Sequence, residues 1–266
     1  MVESIKELNK LCQKPHYKEV GNWMVRHILR DAALPVTWLL LHTSITANQV
    51  TLVSLIVALI GIFLMALPST QMFVAGTFLL QLWYLLDHVD GQIARYRKTA
   101  CLSGRFFDFI MHHLIHGALF FALGVYYFYM TSQFFYIILA YIASLSAILF
   151  NLTHDAKYKT FFEQFSLARV ITMKDNPASQ KKKKGSILKQ IYSVLHKLIE
   201  IHVFMNILTA SAVAQMFFTR LDFRFWLFWF YFGASVSLGI TKITFLILKR
   251  VIDKEFSENF EITNKV

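Results

Sequence analysis

Between Asp87 and His113 the chain reads DHVDGQIARYRKTACLSGRFFDFIMHH, and most of its chemistry-bearing side chains fall at regular offsets there. Asp87 and Asp90 are three residues apart, which on a helix places both carboxylates on one face. Gly91 follows at once, and Arg95 lies about one turn further on. After a basic stretch come Gly104, Asp108, His112 and His116, the last three at four-residue spacing. Two helix ends carrying carboxylates and joined by a loop converge well on a hard divalent cation such as Mg²⁺. A cation held in that way suits a pyrophosphate. The competing reading is structural, with the acids paired to Arg95, Arg97 or Arg105.

The elements that must position these groups read as membrane spans. The chain has 266 residues, 56% hydrophobic and only 16% charged, with 26 Phe. An ordinary soluble domain is about 25% charged. Apolar runs of near bilayer length fall at 50–67, 72–86, 106–130, 134–153, 203–219 and 225–248. No barrel-like alternation appears, so helices are the expected way to satisfy the backbone in lipid. The fold class is therefore all-α and polytopic, with six transmembrane helices. Residues 1–20 carry four Lys and no apolar core, so no secretory leader is read there and a short surface helix is expected. Residues 21–43 contain an apolar run, Ala32 to Leu41, too short to span; they read as an amphipathic interfacial helix anchored by Trp23 and Trp38, or as a tilted or re-entrant first helix. The organisation is then an N-terminal segment 1–49, a six-helix domain 50–248 with a long loop 155–202, and a tail 249–266.

Charge orients the bundle. Of 27 Lys and Arg, 24 fall on the side holding both termini, two (Arg220 and Arg224) on the other, and Lys242 within the last span. The positive-inside rule puts the termini and the Asp87–His112 loop in the cytoplasm. Cys12 and Cys101 both lie on that side, so no disulfide is expected. The Lys181–Lys184 run fits a solvated loop or attraction to anionic headgroups. Nucleic acid is disfavoured, since no aromatic or groove-reading element accompanies the run. Residues 186–201 carry an apolar stripe at helical spacing, suited to lying on the bilayer. Asn151, His154, Asn206 and Gln215 are polar groups within spans, read for the amides as interhelical hydrogen bonds. Lys242 either lines a cavity or snorkels.

The motif resembles the signature of the CDP-alcohol phosphotransferase family, in which Asp, two spacers, Asp-Gly, two spacers, Ala-Arg, eight spacers, Gly, three spacers, Asp, three spacers and Asp follow in order. Asp87, Asp90, Gly91, Ala94, Arg95, Gly104 and Asp108 fall in register, and His112 stands where the last Asp belongs. The stretch Thr46-Ala-Asn48-Gln-Val-Thr51 also resembles the family's Pro-Asn-Gln-Val-Thr start of its first span, with Ala47 in place of Pro; as a plain helix cap, Asn48 or Thr51 would serve. The resemblance implies transfer of a substituted phosphate from a CDP-linked alcohol to an acceptor alcohol, with release of CMP. It implies Mg²⁺ (or Mn²⁺) held by Asp87, Asp90, Asp108 and His112, and a substrate lined by Gly91, Ala94, Arg95, Gly104, Arg105 and Asn48. His112 would act as the base, since a neutral imidazole both ligates metals and accepts protons. It would equally mark an altered or inactive relative that serves as a membrane scaffold or regulator. Lys98 is a weaker candidate beside the phosphates. His113 lies about 100° away around the helix, His116 a turn deeper, and His88 is expected to point elsewhere. The family also implies a homodimer among membrane lipids. Transport is disfavoured because the acids lie at one edge of the bundle instead of its midplane.

Overall fold

The computed structural model describes residues 2–14, 17, 19, 21–167, 171–173, 187–218 and 221–262. Among the described residues the regular structure is helical apart from two three-residue strands. Five helices are long and apolar enough to cross a membrane: α3 (Ala47–Ala66), α4 (Thr70–Tyr96), α5 (Leu102–Thr131), α6 (Phe135–Leu167) and α9 (Phe223–Leu248). A sixth crossing is formed if α7 (Ile187–Ile199) and α8 (Ile201–Phe217), bent by 73° at their junction, count as one span. The chain is thus an all-α, multi-pass membrane protein. The Lys181–Lys184 run and Arg220 lie outside the described residues.

Local signals set the helix starts. Thr46 opens α3 through a capping box, accepting from the Gln49 N–H while Gln49 Oε1 accepts from the Thr46 N–H at 2.8 Å. The cap is therefore Thr46, neither Asn48 nor Thr51, which leaves both of those side chains free for other contacts. Ser69 caps α4 and the Cys101 sulfur accepts from the Gly104 N–H at the start of α5. Between α4 and α5 the chain turns in five residues, with Lys98 left-handed at φ 56°.

Helix α4 is the centre of the bundle, packing on α3, α8, α1 (Ile5–Cys12) and α2 (Arg30–Leu41). Its backbone nearly touches that of α3: a methyl group on Gly76 would come within 2.4 Å of the Gly61 carbonyl oxygen. Small residues at such a crossing let two spans approach closely enough to gain dispersion energy, which in lipid replaces the hydrophobic drive of a soluble core. Around this contact Phe73, Trp83 and Tyr84 of α4 pack with Ile115 and Leu119 of α5, Phe204 of α8 and Tyr231 of α9, all fully buried. Leu52, Ile56, Ile60 and Phe63 share an outward face of α3 and are exposed, as a lipid-facing stripe requires.

Several boundaries differ from the hydropathy reading. Helix α4 does not stop at Leu86 but runs on to Tyr96, so Asp87 and Asp90 project from a helix interior instead of its end. Helix α6 likewise continues past Thr153 to Leu167, well into the segment read as loop. The tail after residue 248 forms α10 (Val251–Asn259), followed by a strand, β2 (Phe260–Ile262), paired antiparallel with β1 (Ile171–Met173). Lys157 binds Glu255 at 2.8 Å, and Phe161 stacks edge-on with Phe256, so the tail is clasped to α6.

The N-terminal segment is less peripheral than its polarity suggests. Helix α1 (Ile5–Cys12) is capped by Ser4 and buries Leu8 and Cys12 completely against a cluster that includes Ala33, Leu34, Val89 and Ile93. A widened turn at Val25–Leu29 leads into α2 (Arg30–Leu41), with Trp23 exposed and Trp38 at the surface, as the interfacial reading expects.

The three amides singled out within the spans each find a partner. Asn151 binds His116 at 2.6 Å, Asn206 reaches the Met24 sulfur, and Gln215 accepts from the Phe223 N–H. Lys242 does not line the main cavity: its ammonium donates to the Phe150 carbonyl at 2.8 Å and sits 3.9 Å from that ring's centroid. Arg224 is buried, lying over Phe73 and Tyr126.

Candidate active site

The convergence that matters is between α4 and the first turns of α5. His112 Nε2 lies 3.1 Å from Asp87 Oδ1, across the helix pair, and 3.2 Å from Asp108 Oδ1, one turn back on its own helix. One ligand atom from each of Asp87, Asp108 and His112 falls within 4.8 Å of the others. Two carboxylate oxygens and an imidazole nitrogen form a donor set that hard and borderline divalent cations accept. Asp90 stands outside this trio. Its Oδ2 accepts from the Thr51 hydroxyl at 2.6 Å, a short charge-assisted bond that fixes the carboxylate from α3.

Beside the trio opens a cavity of about 780 Å³, large enough for a nucleotide and an acceptor together. Asp87, Asp90, Gly91, Ala94, Arg95, Gly104, Arg105, Asp108, Asn48 and Thr51 all line it. So every residue singled out from the motif reaches this space except His112, which sits behind Asp87 with its side chain 26% exposed. Gly104 faces Asn48 across this wall, and a methyl there would touch the Asn48 amide oxygen at 3.5 Å, an ordinary contact. Among the described residues, no ion pair joins Asp87, Asp90 or Asp108 to Arg95, Arg97 or Arg105; Asp87 and Asp108 pair with His112. Arg97 is instead engaged with the carbonyls of Ile45 and Thr43.

A family model described as CDP-alcohol phosphatidyltransferase matches residues 44–218. This chain belongs to the CDP-alcohol phosphatidyltransferase family. No curated protein matches it. The family match covers every motif residue on the cavity wall.

The other histidines divide. His88 lines the cavity, with Nδ1 2.9 Å from the Tyr84 carbonyl and 3.9 Å from Asp87, so it does not point away as expected. His113 pairs with Asp155 at 3.3 Å and His116 with Asn151, both away from the trio. His202, which the motif does not include, stacks on Tyr84 with centroids 4.0 Å apart and meets His112 edge-on at 5.9 Å. With Trp83, these rings hold the His112 imidazole in place from behind. The available sequence signal was a histidine immediately before the apolar run 203–219.

Proposed function

We propose that the chain transfers a substituted phosphate group from a CDP-linked alcohol to an acceptor alcohol, releasing CMP, in phospholipid or related headgroup synthesis. The single observation that carries this is the placement of Asp87, Asp108 and His112 within ligand distance of one another at the edge of a nucleotide-sized cavity lined by the rest of the motif. Asp87, Asp90, Asp108 and His112 would hold Mg²⁺ or Mn²⁺. When bound, such a cation would supply charge neutralisation for the diphosphate and the departing phosphate.

The chain's own groups do the positioning that phosphoryl transfer needs most. Thr51 orients Asp90. Gly91 and Gly104 let the nucleotide approach the backbone, and Arg95 and Arg105 offset phosphate charge. The acceptor hydroxyl attacks the phosphorus distal to the cytidine, the bridging P–O bond breaks, and CMP departs. The hydroxyl proton goes to His112 Nε2 by way of the Asp87 carboxylate 3.1 Å from it, a role His112 fills only where the carboxylates alone hold the cation. The charge distribution supports a cytoplasmic site and cytoplasmic termini, and the family supports a homodimer.

A second reading has one observation in its favour. His112 between two carboxylates supplies an internal partner for both, as a non-catalytic scaffold would need. CMP release from CDP-alcohols in Mg²⁺ buffer separates the two. The transferase releases CMP with at least one acceptor, and Asp90→Asn abolishes that release. Purified protein that neither binds Mg²⁺–CDP nor releases CMP with any acceptor is the scaffold.

A further inference from the structure

The family match begins at residue 44, yet the cavity does not. Gln13 and Lys14, which follow α1, line the same space as the motif acids. We propose that the turn Cys12–Lys14 is part of the donor-binding wall, where the Cys12 carbonyl positions Arg95 and the Gln13 amide and Lys14 ammonium contact the phosphates of a nucleoside diphosphate. This rests on the transferase reading and deepens it.

Four observations carry it. First, the turn is held firmly, because Cys12 and Leu8 are completely buried under α2 and α4. Second, Arg95 Nε donates to the Cys12 carbonyl oxygen. That bond fixes the guanidinium along the groove over Gly91, where a methyl would stand 3.0 Å from Arg95 Nη1. The residue that faces phosphate is therefore aimed by a backbone group outside the family match.

Third, Gln13 Nε2 is shut off from solvent and has no hydrogen-bond partner among the described residues. A buried amide donor without a partner is costly, and such groups mark a place where a ligand oxygen completes the bond. Fourth, Lys14 is exposed on the cavity and has no ion-pair partner among the described residues. Two other cations on this wall are already engaged. Arg30 donates to the Tyr17 carbonyl, and Arg97 to those of Ile45 and Thr43.

An amide N–H and an ammonium both donate, and the acids of the same cavity need a cation between them and any anion. A diphosphate answers both demands, since its oxygens accept from the donors and bind the divalent ion. A neutral alcohol would satisfy neither.

The test uses the purified full chain in detergent micelles, with Mg²⁺–CDP as the probe in calorimetric titration and CMP release as a second readout. Gln13→Leu and Lys14→Met should each raise the Kd for Mg²⁺–CDP by roughly tenfold, as loss of a hydrogen bond or contact to a charged group does. KM for the CDP-linked donor should rise in parallel with kcat within about twofold, the pattern of lost ground-state binding. Lys14→Arg should restore affinity. A merely structural role would lower the thermal midpoint and leave Kd alone. Should Gln13→Leu fail to fold, Lys14→Met decides alone, since that side chain is exposed. Wild-type protein that binds the probe while the variants match it overturns this inference and leaves the transferase reading intact. Wild-type protein that binds no probe overturns both.

Discussion

Replacing Thr51 with Val tests whether the bond from α3 sets the acidic site. The Thr51 hydroxyl has one proton and two oxygens near it, Asp90 Oδ2 at 2.6 Å and the Ala47 carbonyl at 2.9 Å. The carboxylate is the closer and the charged one, so the bond to Asp90 dominates. Val keeps the branched shape in a buried position and removes the donor. A hydrogen bond to a charged group contributes about 1.5–3 kcal/mol, which corresponds to about 10- to 150-fold in a rate or binding constant. Thr51→Val should therefore lower kcat/KM for CMP release by that factor, and Thr51→Ser, which keeps the hydroxyl, by much less. Both are measured with saturating Mg²⁺ and a fixed acceptor, after the thermal midpoints are shown to match. Thr51→Val within threefold of wild type would mean that Asp90 is positioned by something other than α3.

Three further outcomes follow from the geometry. His112→Asp restores the family's usual carboxylate and should keep or raise CMP release, whereas loss of release would show that the imidazole has become indispensable here. Gly76→Ala forces α3 from α4, because its methyl would meet backbone at 2.4 Å; about 1–3 kcal/mol of destabilisation should appear as a lower midpoint in thermal unfolding, and an unchanged midpoint would refute the close crossing. Burial pushes the Cys12 thiol up to about 11 against the opposing pull of Arg95, while Cys101 is exposed. Maleimide at pH 8 should thus label Cys101 alone, with Cys12 reacting only after unfolding. Because the folded thiol holds its proton above the ordinary value near 9, whatever stability Cys12 contributes is intact below about pH 9 and falls between about 9 and 11.

The acidic motif was legible because it is local: Asp87, Asp90, Gly91, Arg95, Gly104 and Asp108 are tied by offsets that two adjacent helices preserve. The spans were legible because lipid demands long apolar runs, but their ends were not. Hydropathy falls at Asp87 and again after Thr153, and both helices run on, since helix propensity is indifferent to polarity and the exposed faces need no apolar residues there. What joins distant segments was invisible: His202 reaching His112, Thr51 reaching Asp90, and Cys12 reaching Arg95 are separated by dozens of residues, and no periodicity links them. His88 was misplaced for a related reason, because a helical wheel around the two aspartates takes no account of a cavity broad enough to include the flank.

Arg97 lashes two connections together, the one between α2 and α3 and the one between α4 and α5, through two main-chain oxygens on the same strand of linker. Neither connection can swing without dragging the other. That flank of the chamber is thus cross-braced, and any loosening of it has to involve both linkers together.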